Sequence, residues 1–374
     1  MKLSSLISPV LRPVKDKIKA MGLKETVLRF SYRRGMPPGL DQEVLRRIVR
    51  EITAGEVQSI SYRQMSGWKK SGAYRLLLRT TAGAKLSLVH KNALYSEDEI
   101  PALAGLPITP GLGEYIFFKH SVGKFDSYLP RVFFAEQLEI GRHYQYVMED
   151  LTQDYRGLVG PQDRINLCRT LPDIHDSFKS IAATPDARKL LRFDREFSER
   201  LLTYCRNSLE ANCDKQPSPE MDALLSDWTN FAAAFRAGAD AIYRSEPLVL
   251  IHGDCNITNA MCHMATGKLR ILDLEWAGWG LPHQDLVSAL KGTSEALEEE
   301  CLEEFNRNHR HGGPVRGLNI YRYCGIQRAL LDAGFIGIQI LDAKARTPQW
   351  FPRLISDSCT KALELSRLLD VSKI

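Results

Sequence analysis

One short segment, residues 248–286, holds the side chains best suited to chemistry. Asp254 follows an apolar, strand-like run, Asn259 lies five residues later, and Asp273 ends a second strand-like run. A carboxylate at the end of a strand can orient a hydroxyl group and accept its proton. An amide oxygen and a second carboxylate are ligands that Mg²⁺ prefers, and Mg²⁺ offsets the charge of a nucleoside triphosphate. The pattern therefore indicates phosphoryl transfer to a hydroxyl group.

The residues around these three side chains resemble one known family. The stretch from His252 to Asn259 reads HGDCNITN, which matches an H-G-D-x-x-x-x-N loop, and residues 273–275 read DLE. The continuation EWAGWG and the later Asp285 are also similar. These motifs resemble the aminoglycoside phosphotransferase / choline kinase superfamily, whose members look like eukaryotic protein kinases. The likeness extends more weakly from about Val57 onward.

The resemblance implies a role for each motif residue. Asp254 would be the catalytic base, and Asn259 and Asp273 would bind Mg²⁺, as in a protein-kinase catalytic loop, where the Asp and the Asn are likewise five positions apart. His252 would orient the loop and would not be the base. Asp285 would hold the catalytic loop in place through hydrogen bonds.

A kinase of this family also binds phosphates through a lysine. The resemblance places this lysine on the third strand and a partner glutamate on the following helix, and Lys91 and Glu114 fit these positions. Glu97 and Glu99 compete for the second role, but they lie in a polar turn and not on an apolar-striped helix. Lys91 would bind the α- and β-phosphates and pair with the glutamate.

A phosphate-covering turn and an interlobe segment complete the implied nucleotide site. The turn would join the first two strands, and it contains only Gly67 and Gly72, which departs from a glycine-rich pattern. The interlobe segment reads VMEDL, and its residues Met148, Glu149 and Leu151 would meet the adenine. ATP is therefore the expected donor, and GTP stays open.

The pattern along the chain predicts a β-rich half followed by a helical half. An inserted helix is predicted over 110–121, and after Glu149 the apolar period becomes helical apart from short strands around the catalytic motif. His175 lies on an apolar helical face and is interpreted as a core residue. Alternating apolar residues predict five strands at 57–65, 73–80, 85–91, 129–137 and 144–148.

We therefore expect an α+β, two-lobed, protein-kinase-like fold with a small β-rich N-lobe and a larger, mainly helical C-lobe. The predicted boundaries are a basic extension over 1–40, a nucleotide-binding N-lobe over 41–148, and a C-lobe over 149–374 with the catalytic and metal-binding loops. A protein kinase is less favoured, because no D-F-G or A-P-E motif is evident.

The acceptor is the least determined part of the site. Glu275, Trp276 and Trp279 follow Asp273 closely and could contact the acceptor or support the metal. Aromatic faces can hold a quaternary ammonium group, and the acidic run Glu295–Glu304 would suit a cationic substrate. However, such tryptophans usually pack and such acidic runs usually face solvent. An amino-alcohol, an aminoglycoside or other antibiotic, and a sugar-like metabolite all stay open as small-molecule hydroxyl acceptors.

Composition narrows the class of protein. The chain has 374 residues, 44% hydrophobic and 25% charged, with no run long enough to span a membrane and eight scattered cysteines. We therefore expect a cytoplasmic protein with reduced thiols. Residues 1–34 hold nine Lys/Arg against two acidic residues, and the remainder is nearly neutral, so a nucleic-acid partner is not indicated. The basic arm could touch an acidic membrane surface or a partner, although such runs are usually solvated.

One alternative belongs to a different class of function, a kinase-like scaffold that binds nucleotide without turnover. Lys91, Asp254, Asn259 and Asp273 are all present. A scaffold has no physical need for all four side chains, so the sequence favours an active phosphotransferase.

Overall fold

The computed structural model describes residues 32–66, 72–95, 105–124, 128–213, 215, 217–308, 314–342 and 351–374. They form two compact units, which are described separately. Unit 1 holds the described residues up to Leu94 together with Val132–Glu136 and Tyr144–Asp150, and unit 2 holds those of Tyr95–Arg131, Gln137–His143 and Leu151–Ile374. None of the helices in these ranges is long and apolar enough to cross a membrane.

Unit 1 is built around a sheet in which the described strands lie in the order β1-β2-β3-β4-β6-β5. Strands β1 to β4 are antiparallel. Leu76 of β3 pairs in register with Leu88 of β4, and both are buried. The strands are β1 (Arg33–Arg34), β2 (Val57–Ser66), β3 (Gly72–Thr80), β4 (Lys85–Leu94), β5 (Val132–Glu139) and β6 (His143–Glu149).

One amphipathic helix, α1 (Gln42–Thr53), covers the core of unit 1. The side chain of Asp41 accepts hydrogen bonds from the first backbone N–H groups and caps the helix. Leu45, Ile48 and Val49 recur at helical spacing and are buried in one cluster with residues of the sheet such as Leu76. Helix and sheet thus share one apolar core.

Unit 2 is mainly helical, with two small three-stranded sheets of order β11-β10-β7 and β8-β12-β9 among the described residues. Its helices are α2 (Leu112–Ser121), α3 (Pro161–Ser177), α4 (Lys179–Ala182), α5 (Arg195–Asn212), α6 (Pro219–Ser226), α7 (Trp228–Ser245), α8 (Pro282–Ala289), α9 (Glu295–Asn308), α10 (Pro314–Asp342) and α11 (Phe351–Leu368). Its strands are β7 (Tyr155–Gly157), β8 (Leu191–Arg192), β9 (Val249–Ile251), β10 (Ala260–His263), β11 (Leu269–Ile271) and β12 (Gly278–Gly280).

The core of unit 2 centres on α10, which packs against α5, α7 and α11. Tyr323 of α10 is fully buried and stacks on Phe235 of α7, with ring centroids 4.9 Å apart. Asp194 caps α5 and Ser218 caps α6, so polar residues fix where these helices begin. This core supports β9 and α8, the two elements that flank the catalytic motif.

The five predicted strands and the inserted helix are all found, with small changes at their ends. In the half predicted to be helical, the chain turns at Asp227, which separates α6 from α7. β1, β7, β8 and β12 were not predicted, since two or three residues are too few to show alternation. Helix α2, expected with the N-lobe, belongs to unit 2. The lobe boundaries stay predictions.

His90 lies next to Lys91 on β4. Because its imidazole is buried, we expect the stability of unit 1 to depend on pH. Burial lowers the pKa of His90 to about 4, and its ring stacks on Tyr74. The unfolded chain binds this proton below about pH 6.5, whereas the folded chain stays neutral until about pH 4, so stability falls as the pH falls. As the pH falls from 6.5 to 5, we expect the free energy of unfolding to decrease by up to about 2 kcal/mol.

Chemical denaturation of wild type and His90→Gln over pH 7 to 5 checks this expectation. The variant should show a flatter dependence of unfolding free energy on pH. His143→Gln, at a half-exposed position on the same sheet, is the control and should keep the wild-type slope. Equal slopes for wild type and His90→Gln would contradict the prediction.

Candidate active site

One buried carboxylate holds the loop that carries Asp254. Asp285 lies in the first turn of α8 and is fully buried. Its Oδ2 accepts the backbone N–H of His252 at 2.8 Å, and its Oδ1 accepts that of Gly253 at 2.8 Å. His175 Nε2, from α3, lies 2.9 Å from Oδ2. The side chain that the sequence assigned to loop support therefore bonds directly to the loop backbone.

This carboxylate is charged. Burial alone would raise the pKa of Asp285, but the hydrogen bonds from His175 and from the His252 N–H lower it below its ordinary value. Because an ionised carboxylate only accepts hydrogen bonds, the proton of the shared bond is on His175 Nε2. His175, interpreted from the sequence as a core residue, is buried and also orients the carboxylate that fixes the loop.

His252 connects the catalytic loop to the segment that carries Asp273. Its Nε2 lies 2.7 Å from the carbonyl oxygen of Leu272, so this nitrogen donates. Its Nδ1 accepts the backbone N–H of Asp254 at 3.3 Å. The ring is fully buried and both nitrogens are used, which fits the predicted orienting role and leaves no ring nitrogen to act as a base.

Gly253 is the point of closest backbone approach in this loop. Its φ is +81°, in the left-handed region that favours glycine. A Cβ atom at this position would lie 2.1 Å from the carbonyl oxygen of Trp276. Only glycine therefore lets the catalytic loop lie against the segment that follows Asp273.

Both carboxylate oxygens of Asp254 accept hydrogen bonds. Oδ2 lies 3.2 Å from Asn256 Nδ2 and 3.3 Å from Asn259 Nδ2, and Asn259 Nδ2 also donates to the Asp254 carbonyl at 3.0 Å. Because the amide nitrogen of Asn259 is directed at Asp254, its oxygen is the atom suited to a metal ion. The predicted base and the predicted metal ligand are thus neighbours.

A third side chain, that of Arg328, donates to Asp254 and was not predicted from the sequence. Arg328 Nη1, from the middle of α10, lies 2.9 Å from Asp254 Oδ1 and 3.2 Å from Ser288 Oγ. Its Nε lies 2.9 Å from Asp332 Oδ1, and Asp332 Oδ2 accepts from Lys291 Nζ at 2.8 Å. No motif surrounds Arg328, and 74 positions separate it from Asp254, so only folding reveals the contact.

Three carboxylates form a candidate divalent-cation site within unit 2. One oxygen from each of Glu114, Asp273 and Glu275 lies within 4.8 Å of the other two. Such hard oxygen donors suit Mg²⁺. Glu114, which the sequence paired with Lys91, is buried in this cluster. The reason is that the start of α2 packs closely on the segment that follows Asp273, since a Cβ on Gly113 would lie 2.7 Å from the Ala277 carbonyl.

Asp273 has an unusual backbone conformation. Its φ is +64°, one of two positive values among the described non-glycine residues. Left-handed backbone is strained for residues with a Cβ and is found often at functional sites. The side chain is exposed, unlike that of the neighbouring Leu274. The strain thus coincides with the side chain that the sequence assigned to the metal.

The predicted phosphate-binding residues lie in unit 1. Lys91 is half-buried on β4 and pairs in register with Ala73 of β3. Gly72 begins β3, and a Cβ there would lie 2.6 Å from the Tyr74 ring. Gly67, the rival acids Glu97 and Glu99, and residues 1–31 of the basic arm are outside the described residues. The roles of Lys91 and Gly72 stay predictions.

The predicted adenine-binding segment is where unit 1 passes into unit 2. Met148 and Glu149 end β6, and Leu151 begins a short 3₁₀ turn. Asp150 lies between Glu149 and Leu151, and its side chain, which is 1% exposed, pairs with Arg75 Nε at 2.7 Å. This ion pair ties the end of the segment to β3, while the contact of Met148, Glu149 and Leu151 with a base stays a prediction.

The candidate acceptor residues have packing partners. Trp276 meets Phe335 edge to face at 6.4 Å. The indole N–H of Trp279 donates to the Ala187 carbonyl at 2.7 Å, and Arg192 lies over its ring. These contacts account for both tryptophans as packing residues, and their contact with an acceptor stays a prediction.

The acidic run Glu295–Glu304 lies on α9. Glu298 accepts a hydrogen bond from Tyr321, and Glu304 pairs with Arg169 at 2.9 Å and with Arg307. These bonds fix α9 against its neighbours α3 and α10. A role in attracting a cationic acceptor stays a prediction.

Comparison with known proteins places this site in a family. Residues 123–318 match the model of the APH family, described as a phosphotransferase enzyme family. That range covers just over half of the chain and includes Asp254, Asn259 and Asp273, whereas Arg328 lies beyond it. No curated protein sequence gives a significant match.

Solved structures with the same fold include three kinases or phosphotransferases. Choline kinase LicA from Streptococcus pneumoniae is 12% identical with a TM-score of 0.51, over 86% of this chain and 99% of LicA. A microcompartment-associated aminopropanol kinase is 11% identical with a TM-score of 0.54, over 88% and 100%. The aminoglycoside phosphotransferase APH(4)-Ia, solved with ADP and hygromycin B, is 11% identical with a TM-score of 0.51, over 86% and 98%. The predicted protein-kinase-like α+β fold is thus confirmed.

Proposed function

Because the chain belongs to the APH phosphotransferase enzyme family, we propose that it is a small-molecule kinase that transfers the γ-phosphoryl group of ATP to a hydroxyl group. The main support is the carboxylate of Asp254, which is held by Arg328 on one oxygen and by two amides on the other. A fixed, partly exposed carboxylate beside oxygen donors for a metal is what this transfer requires.

In the proposed reaction, the acceptor hydroxyl donates a hydrogen bond to Asp254. As the bond between the acceptor oxygen and the γ-phosphorus forms, the bond from that phosphorus to the β,γ-bridging oxygen breaks. The proton moves to Asp254, and ADP leaves. Mg²⁺, when held by Asn259 and Asp273, would offset the phosphate charge. Lys91 would position the phosphates, and His252 and Asp285 keep the loop in register.

The nucleotide assignment rests on the family and on the fold. The related APH(4)-Ia was solved with ADP, which supports an adenine nucleotide as the donor for this chain. We propose that Met148, Glu149 and Leu151 contact the adenine through backbone groups, as the segment continues from β6 with Met148 buried. The acceptor is a small molecule with a hydroxyl group. Amino-alcohols and aminoglycosides are the first candidates, because the proteins with similar structures are named as a choline kinase, an aminopropanol kinase and an aminoglycoside phosphotransferase.

The deciding experiment measures Mg²⁺-dependent ATP consumption against amino-alcohols, aminoglycosides, other antibiotics, nucleosides and sugars. Asp254→Ala is the blank. An acceptor that stimulates only the wild type establishes both the activity and the acceptor class. Nucleotide binding without metal dependence, and without turnover on any acceptor, would instead favour a scaffold.

Asp273→Ala should weaken Mg²⁺-dependent nucleotide binding by at least about tenfold, or about 1.4 kcal/mol. The reason is that the loss of one anionic oxygen donor leaves Mg²⁺ and the phosphates less well held. Isothermal titration with ATP, with and without Mg²⁺, measures this effect. Asp357→Ala, an exposed aspartate on α11, is the control. Equal affinity of wild type and Asp273→Ala in Mg²⁺ would contradict the assignment.

A further inference from the structure

We propose that Arg328 is a positioning residue for catalysis, which orients the carboxylate of Asp254 toward the acceptor hydroxyl. The inference rests on the proposed function and assigns a new part of the same site. Its basis is the contact of Arg328 Nη1 with Asp254 Oδ1 at 2.9 Å, between side chains that are 23% and 24% exposed.

The contact completes the fixation of the carboxylate. Asn256 and Asn259 donate to Oδ2, and they come from the same loop as Asp254. Arg328 is the donor to Oδ1, and it comes from a separate helix. Donors on both oxygens from two directions restrict rotation of the carboxylate about its Cβ–Cγ bond. A base that must meet a hydroxyl within hydrogen-bond reach gains from such restriction.

Arg328 is itself restrained at both ends of its guanidinium group. Nε lies 2.9 Å from Asp332 Oδ1, and Nη1 lies 3.2 Å from Ser288 Oγ on α8. Lys291 bonds to the second oxygen of Asp332 at 2.8 Å. Burial alone would lower the pKa of Arg328, but Asp332 and Asp254 together raise it above its ordinary value, so the group stays charged.

Gln327, which precedes Arg328, fixes the position of α10 against the helices around it. Gln327 is buried, and its side-chain oxygen accepts from Gln284 of α8. Its Nε2 lies 3.2 Å from Ser198 Oγ of α5 and 3.4 Å from Tyr243 OH of α7. A polar network with partners on three helices is costly to disrupt, because each buried group would lose its partner. α10 therefore presents Arg328 to Asp254 from a rigid position.

The test compares steady-state kinetics of wild type, Arg328→Met, Arg328→Lys and the control Arg322→Met with the best acceptor. Methionine keeps an unbranched apolar chain but removes the donors. We expect Arg328→Met to lower kcat about 10- to 100-fold, with the KM for ATP changed less than about twofold. Lysine restores a positive charge and hydrogen-bond donors on one nitrogen, without the fork of a guanidinium group, and should recover part of kcat. Arg322 lies on the same helix and bonds to the Leu368 carbonyl, so its variant should match wild type.

A double-variant cycle separates positioning from a merely structural role. If Arg328 acts through Asp254, adding Arg328→Met to Asp254→Ala should not lower the residual rate further. If Arg328→Met does not fold, Asp332→Asn replaces it, since it loosens Arg328 and should lower kcat several-fold without changing ATP binding. Wild-type kcat in the folded variants would overturn the inference. Inactivity of the wild type with every acceptor would refute the proposed function, and the inference with it.

Discussion

Asp254→Ala should lose most turnover, with a decrease in kcat of about 10²–10⁴-fold, the range typical for a general base. The variant lacks the only carboxylate that the loop presents beside Asn259, so no group accepts the hydroxyl proton. Mg²⁺-dependent ATP binding should stay near wild type, because Asp254 contacts Asn259, the proposed metal ligand, through the amide nitrogen and not through the oxygen. The measurement combines steady-state kinetics with isothermal titration of ATP.

Asp254→Asn tests the same role with less structural change. The amide keeps the shape of the side chain and one oxygen for Arg328, but it cannot accept a proton as a carboxylate does. It should therefore be as inactive as the alanine variant and more stable. Wild-type turnover in either variant would refute the assignment of Asp254 as the base.

Gly253→Ala should be the most disruptive small substitution in the site. A left-handed backbone costs a residue with a Cβ about 1–2 kcal/mol, and overpacking adds about 1–3 kcal/mol. The new methyl would meet the Trp276 carbonyl at 2.1 Å, and backbone cannot move aside as a flexible side chain does. We expect a loss of about 2–5 kcal/mol in unfolding free energy, and turnover should fall because Asp254 is displaced.

Gly267→Ala is the matched control. Gly267 has a φ of +70°, but nothing lies within 4 Å of the position that the new methyl group would take, so only the backbone strain applies. Urea denaturation and ATP turnover of both variants separate strain from collision. If the two variants lose equal stability, the close approach of Gly253 to Trp276 is not what requires glycine.

The catalytic loop could be predicted from the sequence because its parts are contiguous. Asp254 and Asn259 lie in one short motif, and the structure brings them within hydrogen-bond distance. Asp285 could also be predicted, since it follows the motif closely. Its partner His175 could not, because the contact joins α3 to α8 across 110 positions. The apolar spacing predicted that His175 is buried, but it did not indicate that His175 bonds to Asp285.

The candidate divalent-cation site shows the same limit of sequence-based prediction. Asp273 and Glu275 are two positions apart and were both candidates, but their proximity to Glu114 depends on how α2 packs on the loop that follows them. The sequence offered no sign of this neighbourhood, and the predicted pairing of Glu114 with Lys91 stays a prediction. Arg328 lacked any local signal, because an arginine four positions before an aspartate is common on exposed helices.

The position of α10 bears on how a minimal active fragment should be chosen. The family match ends at residue 318, near the start of this helix, and contains the entire catalytic motif. A fragment cut there would leave Phe235 without Tyr323 and Asp254 without Arg328. It would keep every signature residue, yet it would expose the apolar core and should aggregate. Its inactivity would thus report lost folding, and deletion mapping in this chain must keep α10 and α11.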